Sequence, residues 1–287
     1  MRRFKVSSTA AGQRADVFVA AKYPQFSRSA LETLFDRELV RIARKPVKAS
    51  RKLRTGEYVS LDDSLLTAKP EPLDMPIIYE DKDVIVINKP AGILTHSKGA
   101  LNTESTVADF IKDKLNGFED SNRAGIVHRL DRGTSGVIIT AKNPASLAWL
   151  QKQFSTRKAK KIYQAMVEGV PDPAEAVIDV PIARNLKRPQ TFQVNATGRA
   201  AQTQYKVLRV FRAGDKEYAL LELRPRTGRT HQLRVHLAYI GHPIVGDNIY
   251  GHGGPAMLLH AKSLELTLPN RQRKVFEAPL MREMEKS

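Results

Sequence analysis

The chain has 287 residues, no cysteine and a formal net charge of +17 at pH 7. The lack of cysteine excludes disulfides and thiolate metal sites, and no apolar run reaches the roughly 18 residues of a membrane-spanning helix. The excess of Lys and Arg favours a polyanionic partner, with nucleic acid as the leading candidate and an anionic membrane surface as the second. The opening MRRFK is not followed by the apolar core of a signal peptide, so we expect a soluble, cytoplasmic protein.

The first 62 residues are predicted to form a separate small α+β domain. Residues 1–70 contain 15 basic and 7 acidic residues, so the positive charge is concentrated at this end of the chain. Ser27 is a plausible N-cap for the second of two short helices. These two helices and the two strands after them are expected at 14–22, 27–38, 39–42 and 57–61.

The segment 63–76, DSLLTAKPEPLDMP, has three prolines and no clear period, which predicts a linker. Residues 77–287 should form a larger domain of class α+β, with a mixed or antiparallel central sheet and flanking helices, because strands and helices do not alternate. Asn143 is expected to cap the helix that begins at Pro144. The predicted strands are 77–79, 84–87, 136–142, 163–167, 201–210, 218–223 and 258–266, and the predicted helices are 106–115, 144–154 and 230–240.

The segment 125–143, GIVHRLDRGTSGVIITAKN, places charged side chains directly before an apolar strand. Residues 133–136 form a small-residue turn where the backbone can bend tightly and a ligand can approach closely. A lone Asp such as Asp131 in a loop of this kind is usually an ordinary turn residue that hydrogen-bonds nearby amides. Its charged neighbours make a functional site the stronger interpretation.

An arginine cluster precedes the predicted helix 230–240. Arg224, Arg226 and Arg229 lie just before it, and His231 and Arg234 share one of its faces. Such a cluster could hold phosphates or a carboxylate, or it could form a surface ion-pair network. His231 and His236 are five residues apart, roughly 140° around a helix, so they do not form a zinc-binding pair and no metal site is indicated.

The nonamer HRLDRGTSG resembles the catalytic motif of the RluA-type RNA pseudouridine synthases. Four further blocks occur in the order that this family uses, and the resemblance extends from Pro76 to about Pro279. It implies a pseudouridine synthase fold and an enzyme that isomerises uridine to pseudouridine in RNA, with an aspartate and no cofactor. The further blocks are IIYEDKDVIVINKPAGILTH, KKIYQAMVEG, RPRTGRTHQLRVHLAYIGHPIVGDNIYG and LLHAKSLEL.

The resemblance also implies roles for single residues. The catalytic carboxylate matches Asp131, its arginine partner Arg234, and the side chain that stacks on uracil Tyr163. Arg129 matches the position that fills the gap left by an extruded base. A guanidinium within about 4 Å stabilises a carboxylate by on the order of 4 kcal/mol at an effective dielectric of 20, and could orient it by a two-pronged hydrogen bond. The expected substrate-binding residues are Arg129, Arg132, Thr134, Arg229, His231 and Leu259.

The basic N-terminal pattern resembles the alpha-L RNA-binding module, shared by a small-subunit ribosomal protein and many RNA-modifying enzymes. Where that family often has Asn-Gly in a hairpin, this chain has Ala43-Arg44, so the usual turn signal is missing. A solvated basic face without a partner is the alternative interpretation. The resemblance implies RNA contacts by the second helix and the loop after it, through Arg28, Arg37, Lys45, Lys48, Arg51 and Lys52.

Three classes of function are open from the sequence. The first is a uridine isomerase that acts on a flipped-out uridine in structured RNA, with large-subunit ribosomal RNA favoured by family analogy and transfer RNA as the alternative. The second is a non-catalytic RNA-binding or assembly factor, although Asp131, Tyr163 and Arg234 are all present. The third is a hydrolytic N-glycosylase, which would release free base. We expect a monomer that binds RNA and that binds neither a membrane nor a metal ion.

Overall fold

The structure is a computed structural model, and it describes residues 1–68, 71–97, 104–118 and 123–285. The chain divides into two compact units. The first comprises Met1–Leu73 with His96–Ser105, and the second comprises Asp74–Thr95 with Thr106–Ser287. In the described ranges, no helix is long and apolar enough to cross a membrane.

The first unit packs helices on a small antiparallel sheet of order β1-β4-β2-β3. Its apolar core includes Leu31 and Leu34 of the second helix and Val59 and Leu61 of the last strand, all inaccessible to solvent. The Ser27 hydroxyl accepts a hydrogen bond from the Ala30 amide at 3.2 Å, so the predicted N-cap is confirmed. The elements are β1 (Arg2–Lys5), a 3-10 turn (Ser8–Ala10), α1 (Ala15–Lys22), α2 (Arg28–Asp36), β2 (Val40–Ile42), β3 (Lys45–Pro46), β4 (Tyr58–Leu61) and α3 (Ser64–Thr67).

Helix α3 falls in the segment 63–76, which the sequence predicted as a linker. Leu65 and Leu66 of this one-turn helix pack against the core of the first unit. Residues 69–70 of the segment lie outside the described residues.

A two-residue turn joins β2 to β3. Ile42 pairs with Lys45, and the residues between them, Ala43 and Arg44, have φ values of 48° and 66°. Positive φ at both central residues is what a type I′ hairpin turn requires, and it disfavours side chains other than Asn, Asp or Gly. The chain therefore forms the turn without the Asn-Gly signal, and the missing signal was a poor guide to the local structure.

The second unit is built on a nine-stranded mixed sheet of order β5-β6-β7-β14-β8-β13-β12-β9, with β15 paired to β14. Its strands are β5 (Ile77–Glu80), β6 (Val84–Lys89), β7 (Ser135–Ala141), β8 (Lys160–Glu168), β9 (Glu175–Asp179), β10 (Ile182–Arg184), β11 (Phe192–Val194), β12 (Gln202–Ala213), β13 (Lys216–Pro225), β14 (Leu259–Thr267) and β15 (Arg273–Glu277). Its helices are α4 (Val107–Ile111), which continues as a 3-10 turn (Lys112–Lys114), α5 (Pro144–Ser155), α6 (Gln232–Tyr239) and α7 (Arg282–Glu285). Strands β10 and β11 pair separately. The predicted α+β class is confirmed.

Strands β7 and β14 lie side by side within this sheet and form the sole parallel pair among the described strands. Gly136 of β7 has a φ of 106°, and a Cβ atom there would lie 2.2 Å from the carbonyl oxygen of Ala261. No residue with a side chain fits at this distance. Gly136 therefore allows the close approach of two strand backbones.

The predicted cap of α5 is confirmed. The Asn143 side chain accepts a hydrogen bond from the Ser146 amide at 2.9 Å, as predicted for a cap before Pro144.

Strands β9 and β15 were not predicted. In both strands every second residue is the less exposed one, with Ile178 and Phe276 buried, but the sequences EAVID and RKVFE place apolar residues side by side and so show no apolar-polar alternation.

Lys89, the last residue of β6, is fully buried. Its ammonium donates to the carbonyl oxygens of Pro90 at 2.9 Å, Ile93 at 2.8 Å and Arg132 at 3.3 Å. Burial lowers the pKa of Lys89 to about 7, against a smaller raising effect of Asp131. One buried cation thus ties the end of β6 to the loop that follows Asp131.

This arrangement predicts a pH-dependent contribution to stability. In the unfolded chain the pKa of Lys89 returns to about 10.4, so between about pH 7 and that value the unfolded state binds one more proton. The contribution of Lys89 should then raise the free energy of unfolding with pH by about 1.4 kcal/mol per unit, and be flat below about pH 7. Urea unfolding followed by fluorescence of Trp149, the single tryptophan, measures this. The wild-type value minus that of Lys89→Met should increase from pH 7 to pH 10, and a constant difference would contradict the lowered pKa.

Candidate active site

A cleft of about 1020 Å³ opens in the second unit, between the segment that precedes β7, the start of β8 and the loop from β13 to α6. It brings together residues that are more than 100 positions apart in the sequence. The predicted site residues that line it are Arg129, Asp131, Thr134, Tyr163, Arg229, His231, Arg234 and Leu259.

Asp131 is held at the wall of this cleft by a tight turn. Its carbonyl oxygen accepts a hydrogen bond from the amide of Thr134, which is itself buried. The carboxylate oxygen Oδ2 faces Arg234 Nη1 at 3.7 Å and His231 Nε2 at 3.9 Å, and the Asp131 side chain is 19% exposed. Asp131 therefore has cationic or polar groups on one side and open cleft on the other.

The strong ion pair of Arg234 is made with a different carboxylate. Its Nε and Nη2 atoms donate to Asp247 Oδ2 and Oδ1, both at 2.7 Å. The sequence had suggested that Arg234 grips Asp131 by such a two-pronged hydrogen bond, and this is wrong in detail. The distance of 3.7 Å to Asp131 is too long for a hydrogen bond, so Asp131 receives the electrostatic attraction alone.

Asp247 is fully buried and its loop closes around it. Its Oδ1 atom also accepts hydrogen bonds from the amides of Ile249 and Tyr250, at 2.9 and 3.1 Å. Burial alone would raise the pKa of Asp247, but the hydrogen bond and charge of Arg234 hold it below the ordinary value. The sequence analysis missed Asp247, because an Asp between Gly246 and Asn248 resembles a common turn residue and has no helical spacing to Arg234.

His231 begins α6 with a left-handed backbone, φ 56°. Its Nδ1 atom lies 2.8 Å from the hydroxyl of Tyr250, which accepts a hydrogen bond from the Phe192 amide at 2.9 Å. Burial lowers the pKa of His231, although Asp131 acts in the opposite direction. A neutral imidazole thus stands beside Asp131 and is fixed in place by Tyr250.

Tyr163 and Lys161 lie two residues apart on β8, and both line the cleft. Burial and then the nearby Asp131 carboxylate raise the pKa of Tyr163, so its phenol is neutral at physiological pH. Burial lowers the pKa of Lys161. Lys161 was not predicted as a site residue, because the motif block KKIYQAMVEG gives the basic pair at 160–161 no role of its own.

Other predicted residues have different surroundings. Arg132 is exposed and does not line the cleft; its carbonyl accepts from the Gly92 amide at 2.8 Å and its Nη1 atom donates to the Gly92 carbonyl at 3.3 Å. His128 stacks on Phe154 with ring centres 4.5 Å apart, and its Nε2 atom accepts from the Ile139 amide at 3.2 Å. Burial lowers the pKa of His128 to about 3, which fits a neutral structural residue.

The six basic residues predicted to bind RNA lie in the first unit, and two of them face acidic partners. Arg28 lies 3.9 Å from Asp16, and Arg51 lies 2.7 Å from Glu57. The other four are exposed and form no ion pair with any residue in the described ranges, namely Arg37, Lys45, Lys48 and Lys52. Within those ranges there is also no group of three or more His, Asp or Glu residues that could hold a metal ion.

Comparison with known proteins gives a consistent result. Residues 83–239, which include both Asp131 and Arg234, match the family model described as RNA pseudouridylate synthase. An RNA pseudouridine synthase of Aquifex aeolicus is 42% identical over 246 residues, which cover 83% of this chain and 77% of the relative. The ribosomal large subunit pseudouridine synthase D of Borreliella burgdorferi is 36% identical, over 96% of this chain and 88% of its own.

A solved structure shares the fold. Human RNA Pseudouridylate Synthase Domain Containing 1 superimposes with a TM-score of 0.60 at 26% sequence identity, over 72% of this chain and 83% of the human chain. Sequence and fold therefore agree over the unit that contains the cleft. The chain belongs to the RluA-type RNA pseudouridine synthases and is an isomerase.

Proposed function

We propose that this pseudouridine synthase isomerises specific uridines in large-subunit ribosomal RNA and that Asp131 is its catalytic carboxylate. The name of the Borreliella burgdorferi relative assigns that protein to the ribosomal large subunit, and the similarity over 96% of this chain supports the same substrate class here. One observation carries the proposal for the site: Asp131 faces an open cleft, with Arg234 Nη1 3.7 Å behind its carboxylate.

The reaction explains why a carboxylate is needed. The C1′–N1 bond breaks and its electron pair leaves with N1, so positive charge develops on the sugar. An ionised Asp131 stabilises this charge, attacks C1′, or removes a proton from C2′. The uracil then turns, C5 joins C1′ and loses its proton, and N1 gains one. The product is an isomer of the substrate, so no second substrate is consumed.

The carboxylates of Asp247 and Asp131 have different roles around Arg234. Asp247 takes both prongs of the guanidinium, which fixes its orientation. Nη1 then stabilises the negative charge of Asp131 by about 4 kcal/mol at an effective dielectric of 20, before desolvation is counted. Because Arg234 does not hydrogen-bond Asp131, both carboxylate oxygens stay available to the sugar.

Tyr163 and Arg129 complete the proposed site. The neutral ring of Tyr163 lies in the cleft with Asp131 and offers a face on which uracil stacks. A base in folded RNA must leave its helix to reach such a cleft, and the exposed Arg129 at the cleft wall fills the space that it leaves. A base that fills the cleft also excludes water, which would otherwise give an abasic site.

The first unit is proposed to be an RNA-binding module of the alpha-L type. Four exposed cations without acidic partners among the described residues follow or end α2, and such side chains neutralise phosphates most effectively. This unit would add affinity and leave the chemistry to the second unit.

Mapping of pseudouridine tests the function directly. Carbodiimide-dependent reverse-transcription stops in total RNA should reveal at least one large-subunit ribosomal site that is lost when the gene is deleted. The wild-type gene should restore it and Asp131→Asn should not, while the variant binds ribosomal RNA within about threefold of wild type. Loss of a site in transfer RNA instead would show that transfer RNA is the substrate. Full activity of Asp131→Asn would show that Asp131 is not the catalytic carboxylate.

Asp247→Asn should lower the turnover number by about 10²-fold with little change in KM, because Arg234 loses the partner that fixes its position. The measurement is tritium release from RNA labelled at uridine C5. The matched control is Asp215→Asn, an exposed carboxylate in the turn between β12 and β13. If circular dichroism shows that the activity falls only in proportion to the folded fraction, Asp247 has no positioning role.

Neutralising the first unit should weaken RNA binding and flatten its salt dependence. The test uses a full-length variant with glutamine at 37, 45, 48 and 52. The slope of log K against log salt should become less steep by about 0.7 for each phosphate contact that is removed. A control variant with glutamine at four exposed lysines of the second unit, Lys82, Lys152, Lys158 and Lys216, should keep the wild-type slope. Equal slopes for the two variants would contradict an RNA-binding role of the first unit.

A further inference from the structure

The cleft contains one cation that the proposed chemistry leaves unused. Lys161 lies two residues before Tyr163 on β8, so the two side chains project from the same side of the strand about 6.6 Å apart along it. Both line the cleft. The ammonium of Lys161 therefore lies within reach of a nucleotide whose base contacts Tyr163.

Lys161 also lacks a partner within the described part of the chain. Its ammonium forms no hydrogen bond or ion pair with any residue there, although the side chain is half-buried. The neighbouring Lys160 is exposed and lies 3.7 Å from Glu265. The buried Lys89 has three carbonyl acceptors. A partly desolvated ammonium without an acceptor is unfavourable, and an anionic ligand would remove this cost.

The surroundings of Lys161 are cationic and open. Eight Lys or Arg residues and three Asp or Glu residues line the cleft. All three acidic residues face other cations, since Asp131 faces Arg234, Glu265 pairs with Arg273, and Glu277 faces Lys262. None of them compensates Lys161.

The loop before α6 adds two arginine charges to the cleft and places Gly228 next to Lys161. Arg226 Nη1 donates to the side-chain oxygen of Gln202 at 3.1 Å, and Arg229 Nε donates to the carbonyl of Ala200 at 3.0 Å, so neutral groups leave both charges uncancelled. Gly228 lies between them, and a Cβ atom there would lie 3.8 Å from Lys161 Nζ. This is an ordinary van der Waals distance, so the backbone of Gly228 lies next to the ammonium.

We propose that Lys161 binds a backbone phosphate of the substrate RNA, beside Gly228 in the catalytic cleft. A phosphodiester carries a permanent negative charge, which matches a cation that is uncompensated before any reaction begins. Uracil, in contrast, is neutral until the glycosidic bond breaks. This assignment rests on the proposed function, because it assumes that the cleft receives RNA.

The test compares Lys161→Met, Lys161→Arg and Gly228→Ala with wild type, and uses Lys152→Met as the control for loss of one exposed charge outside the cleft. Filter binding of an unmodified large-subunit ribosomal RNA transcript is measured from 50 to 200 mM KCl. Tritium release from the same transcript, labelled at uridine C5, gives the rate at saturating enzyme.

Lys161→Met should weaken binding about tenfold and reduce the salt slope by about 0.7, while the saturated rate stays within about threefold. Lys161→Arg should recover the slope and most of the affinity, and Lys152→Met should change both by much less. Gly228→Ala keeps the charge and adds a Cβ atom at an ordinary van der Waals distance of 3.8 Å from Lys161 Nζ, so it should bind with nearly the wild-type affinity and slope.

Unchanged affinity and slope in Lys161→Met would overturn the proposal. So would a loss of saturated rate of 100-fold with unchanged binding, which would assign Lys161 to the charge on the departing uracil. A wild-type enzyme that binds the transcript but releases no tritium would contradict the proposed substrate, and the binding comparison would still decide on Lys161.

Discussion

The site depends on one buried ion pair, that of Arg234 with Asp247. Two hydrogen bonds of 2.7 Å fix the guanidinium, and the buried carboxylate is held in turn by the amides of Ile249 and Tyr250. A buried pair of this kind adds little net stability, because desolvation offsets its attraction. Its value here is geometric: it directs the remaining nitrogen of Arg234 at Asp131 without occupying that carboxylate.

The sheet places Asp131 opposite this pair. Asp131 lies in the loop that enters β7, β7 runs parallel to β14, and β14 pairs with β8, which carries Tyr163. The close approach of β7 and β14 at Gly136, together with the hydrogen bond of Lys89 to the Arg132 carbonyl, fixes where that loop starts and ends. The carboxylate is thus positioned by backbone packing, and its guanidinium partner by a side-chain network on the other wall.

The basic residues of the first unit and those of the cleft differ in their surroundings. The first unit carries four exposed cations without acidic partners among the described residues, and in the proposed function they supply long-range, salt-dependent attraction of RNA. In the cleft, each acidic residue faces a cation and the remaining basic side chains outnumber them, so an anion that enters meets desolvated positive charge close to Asp131. The proposed function therefore assigns electrostatic attraction at the surface and close contact in the cleft to separate residues.

The sequence by itself determined the family, the α+β class, the helix caps at Ser27 and Asn143, and the pattern that singles out Asp131, because these depend on local spacing and on ordered motifs. Tertiary structure decided that the two-pronged partner of Arg234 is Asp247, that Arg132 turns away from the cleft, and that Lys161 stands in it without a partner among the described residues. It also decided β9 and β15, whose adjacent apolar residues show no alternation in the sequence although their burial alternates in the sheet. Such facts depend on which distant segments meet and how their charges pair, and no local pattern contains that information.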